Sequence, residues 1–269
     1  MSKIHPYLPN SVPEIKEKMM EKIGIESIDE LFSDIPKEFI YDKTLEIPGP
    51  KSEVEVKRHV SGLLEENKTL KCPPFLGGGV WPHYVPTVVD EVVHRAEFLT
   101  SYTPYQPEIS QGILQAVFEY QSLVCELVGM EVTNSSLYDW ATAVGEAALM
   151  SCRITRKDKV LVPDLMSPHR LSVLKTYTEP AGIKVDMIDH DPITGLLDLE
   201  DLKEKNDDKT AMVYIENPSY MGFAEERAEA IGELTHETKA LYVVGVDPMS
   251  LGLLKPPGEY DADIVCGEG

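Results

Sequence analysis

Polar side chains follow two apolar, strand-like segments at the points where these segments end. Asn217 comes after the segment 210 to 216, and Asp247 comes after the segment 241 to 246. Parallel sheets bind ligands beyond the carboxyl ends of their strands, so both residues are candidates for a site. Two interpretations stay open for Asp247: its carboxylate binds a cationic ring nitrogen, or it caps the turn that follows.

Two predicted helix starts carry further candidates. Hydroxyl groups at 135 to 138 precede a helix predicted from residue 141, and a helix N-terminus is a natural phosphate seat. Asp139 argues against an anion there because it is itself a good N-cap, and Trp140 is larger than the small residues that suit a phosphate cup. His169 either stacks on a planar cofactor or caps its own helix.

The segment Ser101 to Gly112 has an unusual composition. Pro104 and Pro107 fix the backbone φ angle and remove two amide donors, which predicts a stiff, extended loop. Its remaining side chains present polar tips: Tyr102, Thr103, Tyr105, Gln106, Glu108, Ser110 and Gln111. Such a loop would fix these groups in a site or an interface, and the alternative is a simple lead-in to the next helix, with Ser110 as its N-cap.

The elements predicted to position these candidates are helices and strands that alternate along the chain. Helices are predicted at 87–98, 111–128, 141–153, 169–178, 198–205 and 224–238, and strands at 159–163, 184–189, 210–216, 241–247 and 262–266. The alternation after residue 140 predicts an α/β fold with a mostly parallel sheet and helices on both faces. The apolar period near 3.6 over 111–128, ended by Gly129, predicts a long buried helix.

The first 75 residues look different from the rest. Hydroxyl residues stand three positions before a glutamate at Ser11 and Glu14, Ser27 and Glu30, and Ser52 and Glu55. This spacing predicts short helices with capping boxes. Since the segment has few large apolar residues, we expect residues 1–75 to form an N-terminal helical arm that packs on another surface, the alternative being a small independent helical domain. Residues 76–269 then form the large domain.

Composition excludes several classes of function. The 269 residues carry a formal charge of −21, with 25 Lys and Arg against 46 Asp and Glu, so we expect neither a nucleic acid nor an anionic membrane as partner. Cys72, Cys125, Cys152 and Cys266 show no metal-binding spacing, and no metal site is expected. No apolar run approaches a membrane span and no signal sequence is visible, which predicts a cytoplasmic protein.

Several longer motifs resemble one known family. They read FLGGGVWPHYVP at 75–86, TSYTPYQPEISQG at 100–112, FEYQSLVCELVGMEVTNSSLYD at 118–139, ENPSYMG at 216–222 and VDPMSLGLLKPPGEYDADIVCGEG at 246–269. Together they closely resemble glycine dehydrogenase (decarboxylating), the P-protein of the glycine cleavage system. The pattern EKIGIESIDELFSDIP at 21–36 is similar to subunit 1 of the two-subunit form of this family.

The resemblance implies a fold, a reaction and partners. The fold is the fold-type I, aspartate aminotransferase-like large domain of pyridoxal phosphate enzymes. The assembly is an α2β2 complex with P-protein subunit 2. In the implied reaction glycine loses CO2 and its aminomethyl group passes to the lipoyl arm of the H-protein. Family chains run further, so we expect the rest of the large domain and a small C-terminal domain to be missing.

The resemblance also divides the site between two subunits. The Schiff-base lysine follows a strand that corresponds to 262–266, and here that loop begins Gly267-Glu268-Gly269 without a lysine. We therefore expect no catalytic residue in this chain, with pyridoxal phosphate bound by the partner. His169, Asn217 and Asp247 correspond to ring-stacking, phenol-oxygen and ring-nitrogen partners, which we interpret as a vestigial cofactor pocket.

We expect a second group of residues to form a wall of the partner's active site. Its members are His83, Tyr84, Tyr102, Thr103, Tyr105, Gln106, Glu108 and Ser110. Neutral donors of this kind would orient the glycine carboxylate or line the path of the lipoyl arm. Two alternatives stay open: a self-sufficient pyridoxal phosphate aminotransferase or decarboxylase, and a non-enzymatic scaffold subunit.

Overall fold

The structure, a computed structural model, consists of two compact units, Met1–Leu70 and Lys71–Gly269. It describes residues 4–41, 43–68, 72–73, 75, 77–79 and 81–269.

The first unit is a series of short helices. They are α1 (Pro13–Ile23) and α2 (Glu53–Glu65), with 3₁₀ turns at Pro9–Ser11, Ile28–Phe32 and Lys37–Phe39. None of its described residues is buried. Apolar side chains on α1 and α2 therefore have no core within the described part of this unit.

Two of the three predicted capping boxes form. The carboxylate of Glu30 accepts a hydrogen bond from the backbone N–H of Ser27 at 2.8 Å, and Glu55 does the same for Ser52 at 2.8 Å. The prediction for Ser11 is wrong, because α1 begins at Pro13, whose fixed φ favours the first helical position. The Ser11 hydroxyl instead accepts from the backbone N–H of His5 at 2.7 Å.

The second unit is built on a five-stranded parallel sheet. Its strands are β1 (Lys159–Pro163), β2 (Lys184–Ile188), β3 (Thr210–Glu216), β4 (Leu241–Val246) and β5 (Ile264–Gly267). Their order in the sheet is β2-β1-β3-β4-β5, and every neighbouring pair is parallel. The predicted α/β class with a parallel sheet is confirmed. All carboxyl ends thus meet at one edge, called the carboxyl edge below.

Helices surround the sheet and precede it. They are α3 (Thr87–Val93), α4 (Ala96–Leu99), α5 (Gln111–Val128), α6 (Trp140–Thr155), α7 (Pro168–Thr178), α8 (Leu199–Lys205) and α9 (Ala228–His236). Successive β3 side chains enter opposite cores: Met212 packs in one with residues of α6 and α7, and Val213 in the other with Ile231 of α9. Burial on both faces explains why β3 is apolar from Ala211 to Ile215.

Three predicted helices differ from the structure. The helix predicted at 224–238 is shorter, since α9 is Ala228–His236. The single helix predicted at 87–98 is two helices, because Arg95 adopts an extended backbone (φ −64°, ψ 138°) and acts as the N-cap of α4. Helix α5 has its predicted bounds but is not buried. Only Val128 of α5 is buried, while Phe118 and Leu123 are 66% and 64% exposed. The periodicity therefore identifies apolar faces of α5 that the other described residues leave uncovered.

Helix length and hydropathy bear on membrane insertion. Among the described residues, no helix combines the length and apolar character that a membrane crossing requires.

Candidate functional site

The carboxyl edge brings together residues that are far apart in the sequence. The start of α6 lies beside the end of β5, since the backbone N–H of Trp140 donates to the carboxylate of Glu268 at 3.2 Å. Asp139 caps the same helix: its Oδ1 accepts from the N–H of Thr142 at 2.7 Å. This contact with the Thr142 amide holds the pKa of Asp139 below its usual range. Two carboxylates of the chain thus lie at the α6 N-terminus.

A buried arginine lies at the centre of this edge. The guanidinium of Arg170, in α7, stacks on the Trp140 ring at 3.6 Å and lies 5.7 Å from the centre of the Trp81 ring. Its Nη1 forms an ion pair with Oε2 of Glu216 at 2.9 Å. A stacked guanidinium that is shielded from water gains about 2 kcal/mol from such a ring. Arg170 therefore ties α7 to α6 and to the end of β3.

Tyr214 extends this cluster into the sheet. Its hydroxyl accepts a hydrogen bond from the Trp140 indole N–H at 3.0 Å and donates to Oε1 of Glu216 at 3.3 Å. Burial raises the pKa of Glu216, and the nearby charge of Arg170 opposes that rise. We call Trp81, Trp140, Arg170, Tyr214 and Glu216 the tryptophan-arginine cluster.

Asp247 uses both of its carboxylate oxygens within the chain. Its Oδ1 accepts from the backbone N–H of Met249 at 3.0 Å, so it caps the turn Pro248–Gly252, one of its two predicted roles. Its Oδ2 lies 3.1 Å from Nε2 of His83. The contact with His83 fixes the segment that also carries Trp81 against the carboxyl edge.

The other two residues of the predicted cofactor pocket differ from one another. Asn217 is buried, and its Oδ1 accepts from the backbone N–H of Glu225 at 3.1 Å. Burial raises the pKa of the Tyr260 hydroxyl to about 12, and the nearby Asn217 side chain opposes that rise. His169 is exposed at the start of α7, next to the buried Arg170. Asn217 and Asp247 are thus engaged, whereas His169 faces solvent.

The residues of the predicted wall are exposed, apart from Ser110. Tyr84 and Tyr102 are each 85% exposed and Tyr105 is 78% exposed. The Tyr102 and Tyr105 rings are tilted by 53° to each other, with centroids 6.5 Å apart. Thr103, Gln106 and Glu108 are exposed too, while Ser110 is half-buried at the N-cap of α5 without a side-chain capping bond. No hydrogen bond or ion pair within the described ranges joins residues 102–110 to His83.

A small cavity remains at the carboxyl edge, beside Glu216. Its volume is about 30 Å³, and its walls include Met166, His190, Ile215 and Phe223. Such a volume accommodates about one water molecule. In the part of the chain that the structure describes, no cluster of His, Cys, Asp or Glu has the arrangement of a metal site.

Comparison with known proteins identifies the family. The family model described as "Glycine cleavage system P-protein" matches residues 5–269. The chain belongs to this family.

Curated relatives of the P-protein family are similar over almost the entire chain. The "Probable glycine dehydrogenase (decarboxylating) subunit 1" of Staphylothermus marinus is 52% identical over 272 residues, which cover 98% of this chain. The protein of the same name from Thermococcus onnurineus is 52% identical over 97% of this chain. This chain spans 58% of the length of each relative.

A solved P-protein has the same fold. The crystal structure of a glycine decarboxylase (P-protein) of the glycine cleavage system, in inhibitor-bound form, matches 99% of this chain with a TM-score of 0.81 and 38% identity. This chain covers 58% of that one. A Burkholderia pseudomallei sphingosine-1-phosphate lyase shares the fold alone, with a TM-score of 0.50 and 14% identity. The predicted fold-type I architecture is confirmed.

Sequence reasoning missed several members of the tryptophan-arginine cluster. Arg170 passed unnoticed beside His169, and Trp81 appeared only inside a motif. One signal was available: the chain has only two tryptophans, and both contact the same arginine. Glu268 was noted only as part of a loop without a lysine.

Proposed function

We propose that this chain is the lysine-less subunit of a two-subunit glycine dehydrogenase (decarboxylating). The observation that carries the proposal is its 52% identity to relatives that are named as subunit 1 of that enzyme. In the proposed complex, subunit 2 binds pyridoxal phosphate and decarboxylates glycine. The aminomethyl group then passes to the lipoylated H-protein.

The lysines of this chain support that division of labour. Lys255 lies in the segment between β4 and β5, and its ammonium group forms an ion pair with Glu229 at 2.7 Å. Asp247 and Asn217 have partners within the chain. These contacts favour a structural role for this carboxyl edge, with the reactive amine on the other subunit.

The loop at 101–112 is the part of this chain that we assign to the shared active site. Its two prolines keep it stiff without a surrounding core. The Tyr102 and Tyr105 hydroxyls and the Glu108 carboxylate are exposed, so they are free to meet a second chain. Hydroxyl and amide donors at this position would orient the glycine carboxylate in the partner's site or line the path of the lipoyl arm.

Exposed apolar surface supports the proposed assembly. Helix α5 directly follows this loop, and its Phe118, Leu123 and Leu127 side chains are more than half exposed. Apolar surface of this extent marks protein interfaces more often than solvent-facing surface. We therefore assign α5, and the arm at residues 1–75 with its uncovered helices, to contacts with subunit 2.

The proposal is tested by turnover of the complex. Tyr105→Phe and Glu108→Gln are introduced into the full-length subunit, which is co-expressed with its partner, and glycine–bicarbonate exchange is measured per assembled complex. We expect each variant to reduce exchange at least about tenfold, which corresponds to about 1.4 kcal/mol of transition-state stabilisation. The control is Glu237→Gln, an exposed carboxylate just after α9 at the opposite edge of the sheet, which should leave exchange unchanged.

Other outcomes separate the rival functions. If the variants reduce the amount of complex but not exchange per complex, this chain is a scaffold only. If exchange is unchanged in every respect, the assignment of the wall residues is wrong. Exchange by this subunit without its partner would indicate a self-sufficient pyridoxal phosphate enzyme.

A further inference from the structure

The polar positions at the carboxyl edge already have partners from the chain itself. The N-terminus of a long helix such as α6 is suited to a phosphate, and here the Glu268 carboxylate accepts from its first amide. The resemblance described above makes Asp247 the expected ring-nitrogen partner, and here the His83 imidazole faces its carboxylate at 3.1 Å. The Glu268 carboxylate therefore lies where the phosphate of a cofactor would bind, and the His83 imidazole lies where its ring nitrogen would bind.

The space between these two contacts is filled by rings. Trp140 is 3% exposed and lies over Arg170, with Trp81 beside it at a centroid distance of 6.2 Å. A Cβ added at Gly245 would lie 2.8 Å from the Trp140 ring, so the ring packs directly on β4. Rings of the chain itself therefore lie over the end of β4.

Electrostatics oppose the cofactor as well. The carboxylates of Asp139 and Glu268 both lie at the α6 N-terminus, and both accept hydrogen bonds from its amides. A phosphate dianion placed there would lose these amide donors and would meet two negative charges. Arg170 does not offset the two carboxylates, because its guanidinium is paired with Glu216 and lies against the two tryptophan rings.

We propose that the carboxyl edge of this subunit is a self-occupied cofactor site, in which Glu268 replaces the phosphate, His83 replaces the ring nitrogen and Trp140 with Trp81 fills the ring volume. The inference deepens the proposed function, because a self-occupied site would leave the cofactor to the partner. The proposal also names the class of ligand that the carboxyl edge would bind once these side chains are removed, which is a planar heteroaromatic phosphate.

The experiment counts bound pyridoxal phosphate. The full-length subunit in complex with its partner is dialysed against pyridoxal phosphate, and the bound cofactor per pair of chains is measured. We compare the wild-type complex with Trp140→Ser/Glu268→Gln, which removes the indole and one carboxylate. A second opened variant, Trp81→Ala/Glu268→Gln, changes only side chains that are not fully buried and therefore preserves the fold. Trp140→Phe is the control, because it keeps a ring in the cleft.

The expected result is one additional equivalent of pyridoxal phosphate in the opened variants, displaced by inorganic phosphate, and none in the wild type or in Trp140→Phe. Because the result is a difference from the wild type, it does not depend on whether the partner binds the first equivalent. A wild-type complex that already binds a cofactor in this subunit would overturn the proposal. Assembled opened variants that gain no equivalent would overturn it too.

Discussion

Nη1 of Arg170 lies 2.9 Å from Oε2 of Glu216, and both side chains are more than nine-tenths buried. The pair joins α7 to the end of β3, and the Trp140 ring covers the guanidinium. Breaking a buried ion pair by removing one partner is costly, because the remaining charge has no compensation.

Removal of the arginine should destabilise the second unit strongly. Arg170→Ala leaves the Glu216 carboxylate buried without a counter-charge, and we expect a loss of about 3–5 kcal/mol in the free energy of unfolding. Chemical denaturation measures it, with Arg153→Ala on the exposed surface of α6 as the control. Arg170→Met/Glu216→Leu should recover most of the loss, since no charge remains buried. A loss below about 1 kcal/mol for Arg170→Ala would contradict the assigned pairing.

Gly245 should tolerate no side chain. A Cβ there would overlap the Tyr214 hydroxyl and contact the Trp140 indole, so we expect Gly245→Ala to cost about 1–3 kcal/mol. Gly112→Ala is the matched control, because no atom lies within 4 Å of its added Cβ and α5 favours alanine. Equal midpoints of thermal unfolding for the two variants would contradict the close packing of Tyr214 and Trp140 on Gly245.

The cysteines should differ in their reaction with iodoacetamide. Burial raises the pKa of Cys266 to about 12, and the nearby Glu216 carboxylate adds to the rise. At pH 8 only about one thiol in 10⁴ is then ionised, and the thiolate is the reactive form. We expect exposed Cys72 to be modified in the native protein and Cys266 only after unfolding. Mass mapping of the alkylated peptides checks this, and rapid native labelling of Cys266 would contradict its burial.

Asp139 should contribute stability that depends on pH. Its pKa is lowered in the folded state by the Thr142 amide, so the unfolded state binds protons more tightly. The contribution is therefore present above the unfolded pKa of about 3.9 and is lost as pH falls through the folded pKa. Asp139→Asn keeps an acceptor but not the charge. The stability difference between wild type and variant should shrink from pH 6 to pH 3, and a constant difference would refute the charged cap.

The five strands followed from the sequence because most of them are nearly continuous apolar runs. Strands β2 and β4 end one residue earlier than predicted, and β5 is Ile264–Gly267 rather than 262–266. The predicted ranges 159–163 and 210–216 agree with β1 and β3. Prediction failed where two local signals competed, as at Ser11, where Pro13 determines the helix start. It also failed where burial depended on covering surfaces, as for α5. Periodicity identifies an apolar face, but it carries no information about what packs on that face.

The candidate site was predicted only in part. Asp247 and Asn217 were found because strand ends have a known meaning in parallel sheets. Arg170 was not found, because its burial depends on Trp140 and Glu216, which are 30 and 46 positions away in the chain. No local spacing reports such a contact. The carboxylate of Glu268 was missed for the same reason, since its partner amide precedes it by 128 positions.

In the proposed complex, the reactive amine belongs to another chain. The most direct measurement is borohydride reduction of the co-purified complex in the presence of pyridoxal phosphate, followed by mass mapping of the labelled lysine. We expect a pyridoxyl label on the partner subunit and none within residues 1–269. A stoichiometric label on any lysine of this chain would contradict it.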